Sequence, residues 1–368
     1  MNEDGSLGER NGVFVTNVEK KMGLKASATC ELTLGDGVPC QGWLVGNVHD
    51  GMRQMFHVIE NARMAVGIKS AATLSTGYLN ALAYAKERKQ GADLVAAATD
   101  RNAPRATIIH HPDVRRMLLM QKSHAEGMRA LVLFAASIQD AVELKGGHTN
   151  HDAAELSQLS DLLLPLIKGY CSEKTYELLN LSLQTFGGSG YLLDYPIEQY
   201  IRDQKIDTLY EGTTHIQALD LLMRKIAKDG GSTLGRLLEQ VNATLATEEG
   251  GDALKTEREA LATAVEALQG AMGMLMEKLS ESLYHVGLQG NRLLFALSET
   301  VIGWLLIRHA ALALEKSKTA GETDKLYYAG KVTSARFFAH EVLPSVTLAA
   351  QHVKNSKLIA MELAEDAF

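Results

Sequence analysis

A chain of 368 residues with 46% apolar composition can bury a sizeable core and has room for one to three domains. Its net charge of −7 argues against a general nucleic-acid binder, although local basic patches for an anionic ligand remain compatible with it. Six prolines over this length, with abundant alanine and leucine, favour long helices.

The first 48 residues differ from the rest. Glycines punctuate short runs at 12–15, 29–34 and 41–45, and Gly35-Asp36-Gly37 has hairpin chemistry, so this segment reads as strands. Two or three strands are not independently stable, and the segment is expected to be a remnant of a larger β-domain. From Gly51 the spacing of Met52, Met55, Phe56, Ile59, Met64, Leu74, Tyr78 and Leu82 predicts one long helix. Residues 91–105 are small and polar and read as a loop. His111-Pro112-Asp113 opens a second helix running to about Leu144, with proline in the first turn where its missing N–H costs nothing. A third helix spans about 154–185, with a bend expected at Pro165. A glycine-rich turn, 186–195, precedes a fourth helix at about 215–228. Thr213 or Thr214 suits its N-cap, and Arg224 and Lys225 complement the dipole in its last turn. Gly230-Gly231 then separates residues 233–368, which read as further helices with breaks near 250–251, 287–290 and 319–323.

The three cysteines, Cys30, Cys40 and Cys171, form no CxxC pair, and an odd count fits no disulfide framework. Reduced thiols in a cytoplasmic protein are expected. The opening residues 1–10 are polar and acidic, unlike a secretory signal. No unbroken apolar run approaches the ~18 residues of a membrane span; residues 301–307 come nearest, between Glu299 and Arg308. His148, His151 and Asp152 have no common metal-site spacing and lie in a polar linker, so no metal site is expected. His340-Glu341 lacks the second histidine of HExxH, no P-loop occurs, and Gly188-Ser-Gly190 does not extend to GxGxxG.

The chemistry concentrates in residues 184–226. Gly187, Gly188 and Gly190 between Phe186 and Tyr191 permit tight turns and close approach of a ligand to the backbone. Glu211 lies just before a helix N-terminus, beside Tyr210 and flexible Gly212, where backbone N–H groups can receive an oxyanion. By spacing alone, a glutamate there is more often a surface residue complementing the helix dipole.

Phe186–Tyr191 (FGGSGY), Asp194–Pro196 (DYP), Arg202-Asp203 and Tyr210–Gln217 (YEGTTHIQ) closely resemble, in that order, the signature of acyl-CoA dehydrogenases. The resemblance extends over Gly51–Gly67, Tyr84–Gly91, His111–Leu119 and the rest of the chain. The tail, including Tyr327–Pro344, is similar to the extra helical domain of long-form members, among them 3-methylmercaptopropionyl-CoA dehydrogenases. It implies a mainly α fold: a C-terminal four-helix bundle at 49–229, a second helical domain at 230–368 and the β remnant at 1–48.

The resemblance implies FAD-dependent oxidation of an acyl-CoA to trans-2-enoyl-CoA, as in fatty acid β-oxidation. Glu211 would take the α-proton and the β-hydride would pass to flavin N5. Loss of water around Glu211 would strengthen it as a base, and its own N–H would stabilise the enolate. Arg63 matches an arginine near the catalytic carboxylate, and Tyr210 and Gly212 would face the substrate. Arg88 matches an arginine that reaches the FAD pyrophosphate of a neighbouring subunit. Gln184, Gly187 and Gly188 match the segment along the FAD adenosine end; Thr213 and His215 match FAD-contacting positions. Electron transfer flavoprotein would accept the electrons, and a homodimer or homotetramer is implied. Relatives begin with a helical domain and further strands, so the chain is expected to be N-terminally truncated, or completed by a second polypeptide. A catalytically silent helical assembly module is the alternative, and an acyl-CoA oxidase a third reading.

Overall fold

The computed structural model describes residue 2 and residues 4–368, with the side chains of 57 and 60 excepted, so the start at Met1 lies outside the described residues. Residues group into two compact units, 1–61 and 62–368. In the first, β1 (Val13–Val18) pairs antiparallel with β2 (Cys30–Leu34), with an irregularity between Val15 and Asn17. Nearly all their side chains are exposed. The expected strand at 41–45 does not form, and Gly35-Asp36-Gly37 follows β2 rather than joining the pair. Residues 19–29 make that connection instead.

The helix α1 (Gly51–Glu87) begins in the first unit and continues through the second. The segment 91–105 expected as a loop has structure of its own. Strand β3 (Lys89–Ala92) pairs with β4 (Arg105–Thr107) around a short helix α2 (Leu94–Thr99), whose N-cap Asp93 accepts from the N–H groups of Val95 and Ala96. The cap explains what small, polar composition concealed. Helix α3 (Pro112–Leu144) then runs as its proline and apolar spacing predict.

The third predicted helix is interrupted. α4 (Ala154–Pro165) passes through a π-helical turn, Leu166–Tyr170, into α5 (Cys171–Phe186). Pro165 supplies the local cause, since it has no N–H for the helical ladder. A 3₁₀ turn, Gly187–Tyr191, leads to α6 (Ile197–Gln204), a second 3₁₀ turn, Lys205–Thr208, and α7 (Thr214–Leu219). A second π-helical turn, Asp220–Ile226, follows. The tail contributes α8 (Ser232–Ala246), α9 (Lys255–Leu279), α10 (Tyr284–Ser317), α11 (Glu322–Glu341), α12 (Pro344–Lys354) and α13 (Ile359–Glu362). The break expected at 287–290 lies inside α10; the chain turns earlier, at 280–283.

The main hydrophobic core of the second unit runs from Leu74, Leu131, Leu163 and Ile167 to Leu238, Leu268, Val301 and Phe338, with smaller clusters around Leu275 and around Phe186. The glycine pair 230–231 turns the chain, with both residues left-handed, but does not divide this core. By length and composition α10 is apolar enough to cross a membrane, although polar and charged residues interrupt its apolar runs. However, 83% of its most apolar stretch is buried within the protein. Burial all round is what a core helix requires.

Candidate functional site

The segment between the turn Lys205–Thr208 and α7 places Glu211. Thr213 caps α7 with an extended backbone and makes no side-chain capping bond. Glu211 and Gly212 before it are both left-handed, with φ of 57° and 87°. For glycine this is free; for a glutamate it costs on the order of 1–3 kcal/mol and persists only where neighbours fix it. Glu211 is half-buried. Its backbone N–H has no hydrogen-bond partner among the described residues, which leaves it available to an incoming oxygen.

The neighbours that fix this loop are buried. Lys168, from the first π-helical turn, is wholly shielded from solvent, and its Nζ donates to the Gly212 carbonyl at 2.5 Å. Gln217 Nε2 donates to the carbonyls of Glu211 at 3.1 Å and Gly212 at 3.2 Å. Thr214 Oγ1 donates to Glu173 of α5 at 2.6 Å. Gly169 permits the approach, because a Cβ there would lie 3.2 Å from Gln217 Cβ. Burial lowers the Lys168 ammonium to a pKa of about 8, despite the carboxylates of Asp207, Glu173 and Glu211 nearby, with Arg63 adding to the depression.

Around this centre the predicted residues fall out as follows. Tyr210 hydrogen-bonds through its phenol to Asp207, and burial together with that carboxylate holds the phenol above its ordinary pKa. Lys69 of α1 donates to the same carboxylate at 3.0 Å; burial raises Asp207 while Lys69 opposes the rise. Arg63 is buried, and the carboxylate it contacts is that of Asp220, at 2.9 Å, rather than Glu211. Arg224, exposed on the second π-helical turn, lies 3.4 Å from the other Asp220 oxygen. His215 Nδ1 contacts Asn291 at 3.2 Å.

Arg88, Gln184, Gly187 and Gly188 belong to a different place. Arg63 and Arg88 are about 25 residues apart on one helical path, which puts them ~37 Å apart at 1.5 Å per residue. At the Arg88 end, Tyr84, Phe186 and Tyr195 pack their rings within 5.8 Å of one another, and the Tyr84 hydroxyl meets Ser189 at 3.3 Å. This aromatic cluster anchors the glycine turn. Arg88, Gln184, Gly187 and Gly188 are exposed beyond it, and Arg88 has no ion pair among the described residues. A Cβ at Gly187 or Gly188 would meet nothing within 4 Å, although Gly187 caps α5 with a φ of 58° that favours glycine. Gly190, by contrast, is required by the fold, since a Cβ there would lie 2.7 Å from the Leu183 carbonyl.

The sequence reading missed Lys168, Asp207, Lys69 and Glu173. Lys168 carried a signal: it is the one charge in the apolar run 162–171, and a buried ammonium must have partners. Its spacing from Glu211 pointed nowhere, because the two meet only through the fold.

Two family models match the chain. One, described as "Acyl-CoA dehydrogenase, C-terminal domain", matches residues 49–226; the other, described as "Acetyl-CoA dehydrogenase C-terminal like", matches 237–364. The broad-specificity linear acyl-CoA dehydrogenase FadE5 of Mycobacterium tuberculosis is 53% identical over all of this chain and 61% of its own length. The 3-methylmercaptopropionyl-CoA dehydrogenase of Ruegeria pomeroyi is 34% identical over 95% of the chain and 57% of its own length. The chain thus spans less than two thirds of these relatives. In fold it is similar to Caenorhabditis elegans ACDH-11, solved in complex with C11-CoA, with a TM-score of 0.71 and 21% identity over 99% of this chain and 56% of that one. It is also similar to an acyl-CoA dehydrogenase from Bacillus anthracis complexed with FAD, with a TM-score of 0.71 and 19% identity over 97% and 58%. The chain belongs to the acyl-CoA dehydrogenase family.

Proposed function

We propose that the protein oxidises the α–β bond of a linear acyl-CoA thioester to the trans-2-enoyl-CoA, with Glu211 as the base that removes the α-proton. The observation that carries this reading is the Glu211 loop: a left-handed glutamate held by buried donors, with its own N–H unengaged. The base must meet a carbon acid, whose charge develops on the thioester oxygen. A backbone N–H aimed at that oxygen is worth about 3 kcal/mol in typical sites. The linear substrate class rests on the 53% identity to FadE5; the 34% relative carries the other substrate name.

The residues present fit FAD. Gly188 leaves open space that the fold does not need, and the exposed Arg88 guanidinium is suited to a pyrophosphate. Thr213 and His215 lie at the Glu211 end. When bound, FAD supplies the acceptor for the two electrons leaving the α–β bond. Because the two sets of contacts lie at opposite ends of the stretch of α1 in the second unit, the reading includes a homodimer in which each copy lends its Arg88 end to the partner's cofactor. Electron transfer flavoprotein is the proposed onward acceptor.

The test is Glu211→Gln in the full-length protein. Its visible flavin spectrum should match the unsubstituted protein, while bleaching by acyl-CoA slows by about 10²–10⁴-fold. Bleaching at the original rate would remove Glu211 from the role.

A further inference from the structure

We infer that Lys168 is the positioning residue of the reaction: with Gln217 it clamps the Gly212 and Glu211 carbonyls and so holds the base in its left-handed backbone. The inference rests on the assignment of Glu211 as base. Three observations converge on it. The lysine is fully buried, which is costly for an ammonium unless its position is needed. Its bond partner is the carbonyl of Gly212, the residue after Glu211, and Gln217 reaches the same carbonyl from α7. It stands on a π-helical turn after Pro165, and that turn is packed through Gly67 onto α1, where a Cβ would come within 2.1 Å of Ile167, and through Gly169 against Gln217. The irregular turn and the two glycines together bring the ammonium to the loop.

Charged groups face the ammonium from each element around it. Arg63 comes from α1, Asp207 with its partner Lys69 from the turn before the loop and α1, Glu173 from α5, and Glu211 from the loop itself. Since its pKa is lowered to about 8 from the ordinary 10.5, Lys168 is charged at neutral pH and loses its proton on mild alkalinisation. The charge-assisted bond to Gly212 then becomes a neutral one, roughly half as strong. The loop should loosen above about pH 8.

The experiment uses full-length, FAD-loaded protein and compares Lys168→Met and Lys168→Arg with Glu211→Gln. Lys168→Met should keep its flavin spectrum and a KM close to the original, while the flavin-bleaching rate falls by about 10²-fold, the typical consequence of displacing a reacting group by ~1 Å. Amide hydrogen exchange should quicken over residues 209–214 and little elsewhere. The unsubstituted protein should lose bleaching rate above about pH 8. Lys168→Arg, which stays charged there, should recover part of the rate and lose the alkaline fall. Original rates and an original pH profile in Lys168→Met, with Glu211→Gln inactive, would overturn the inference. An active Glu211→Gln would instead overturn the base assignment, and loop exchange would still decide whether Lys168 holds the loop. Should Lys168→Met not fold, Gln217→Leu tests the other arm of the clamp: a slowed bleaching rate with quickened exchange over residues 209–214 supports the inference, and original values for both contradict it.

Discussion

The two ends of the stretch of α1 that lies in the second unit solve opposite problems. Around Arg63 and Glu211 the buried polar side chains pair with one another or with the loop: Arg63 with Asp220, Lys168 and Gln217 with the loop carbonyls, Asp207 with Lys69 and Tyr210. Around Arg88 the protein has built an anchor of three aromatic rings and left glycines and a guanidinium outside it. The first end is over-determined from within, as a site must be if it holds a strained base. The second leaves the Gly188 backbone and the Arg88 guanidinium open to solvent. Stability and ligand affinity should therefore separate between the ends when each is perturbed.

The largest stability effect is expected at the enclosed end. Asp220→Ala leaves the Arg63 guanidinium buried without its partner, and a loss of about 3–5 kcal/mol should appear in denaturant unfolding. A loss below 1 kcal/mol would mean the enclosure is looser than the geometry indicates.

A comparable effect is expected from acid. His124 lies in the core with its Nδ1 on the Met120 carbonyl, and burial lowers its pKa to about 3. The unfolded chain binds this proton below about 6.5 and the folded chain does not, so stability falls as pH drops from 6.5 towards 3. His124→Leu should flatten that part of the stability profile; an unchanged slope would place its origin elsewhere.

At the exposed end the expectation reverses. Arg88→Ala should leave the unfolding free energy within about 0.5 kcal/mol while weakening FAD binding by roughly 1.5–3 kcal/mol, measured by cofactor retention on dilution. Gly188→Val should do the same more weakly, through bulk alone. If either substitution destabilised the apoprotein instead, the contrast between the ends would be lost.

What was legible in the sequence follows the same division. Helices α1 and α3 were visible because apolar spacing and an N-terminal proline are local signals. The short ordered stretch 89–107 was not, since Asp93 caps α2 within a run of small residues and the β3–β4 pairing is non-local. The break in α10 was misplaced because Gly287 and Gly290 look like punctuation, while the second accommodates close packing against Ala218 and Leu222. At the site, Glu211, Gly212 and Gln217 were legible as one contiguous motif. Lys168 and Asp207 were not, because the loop contacts Lys168 across 44 positions and Asp207 gains its meaning from Lys69 across 138.

The most direct measurement is exchange of the α-hydrogen in heavy water, using an acyl-CoA whose β-carbon carries no hydrogen, so that proton removal is observed without oxidation. The unsubstituted, FAD-loaded protein should wash the α-hydrogen into solvent and Glu211→Gln should not. Equal exchange in both would show that some other group takes the proton.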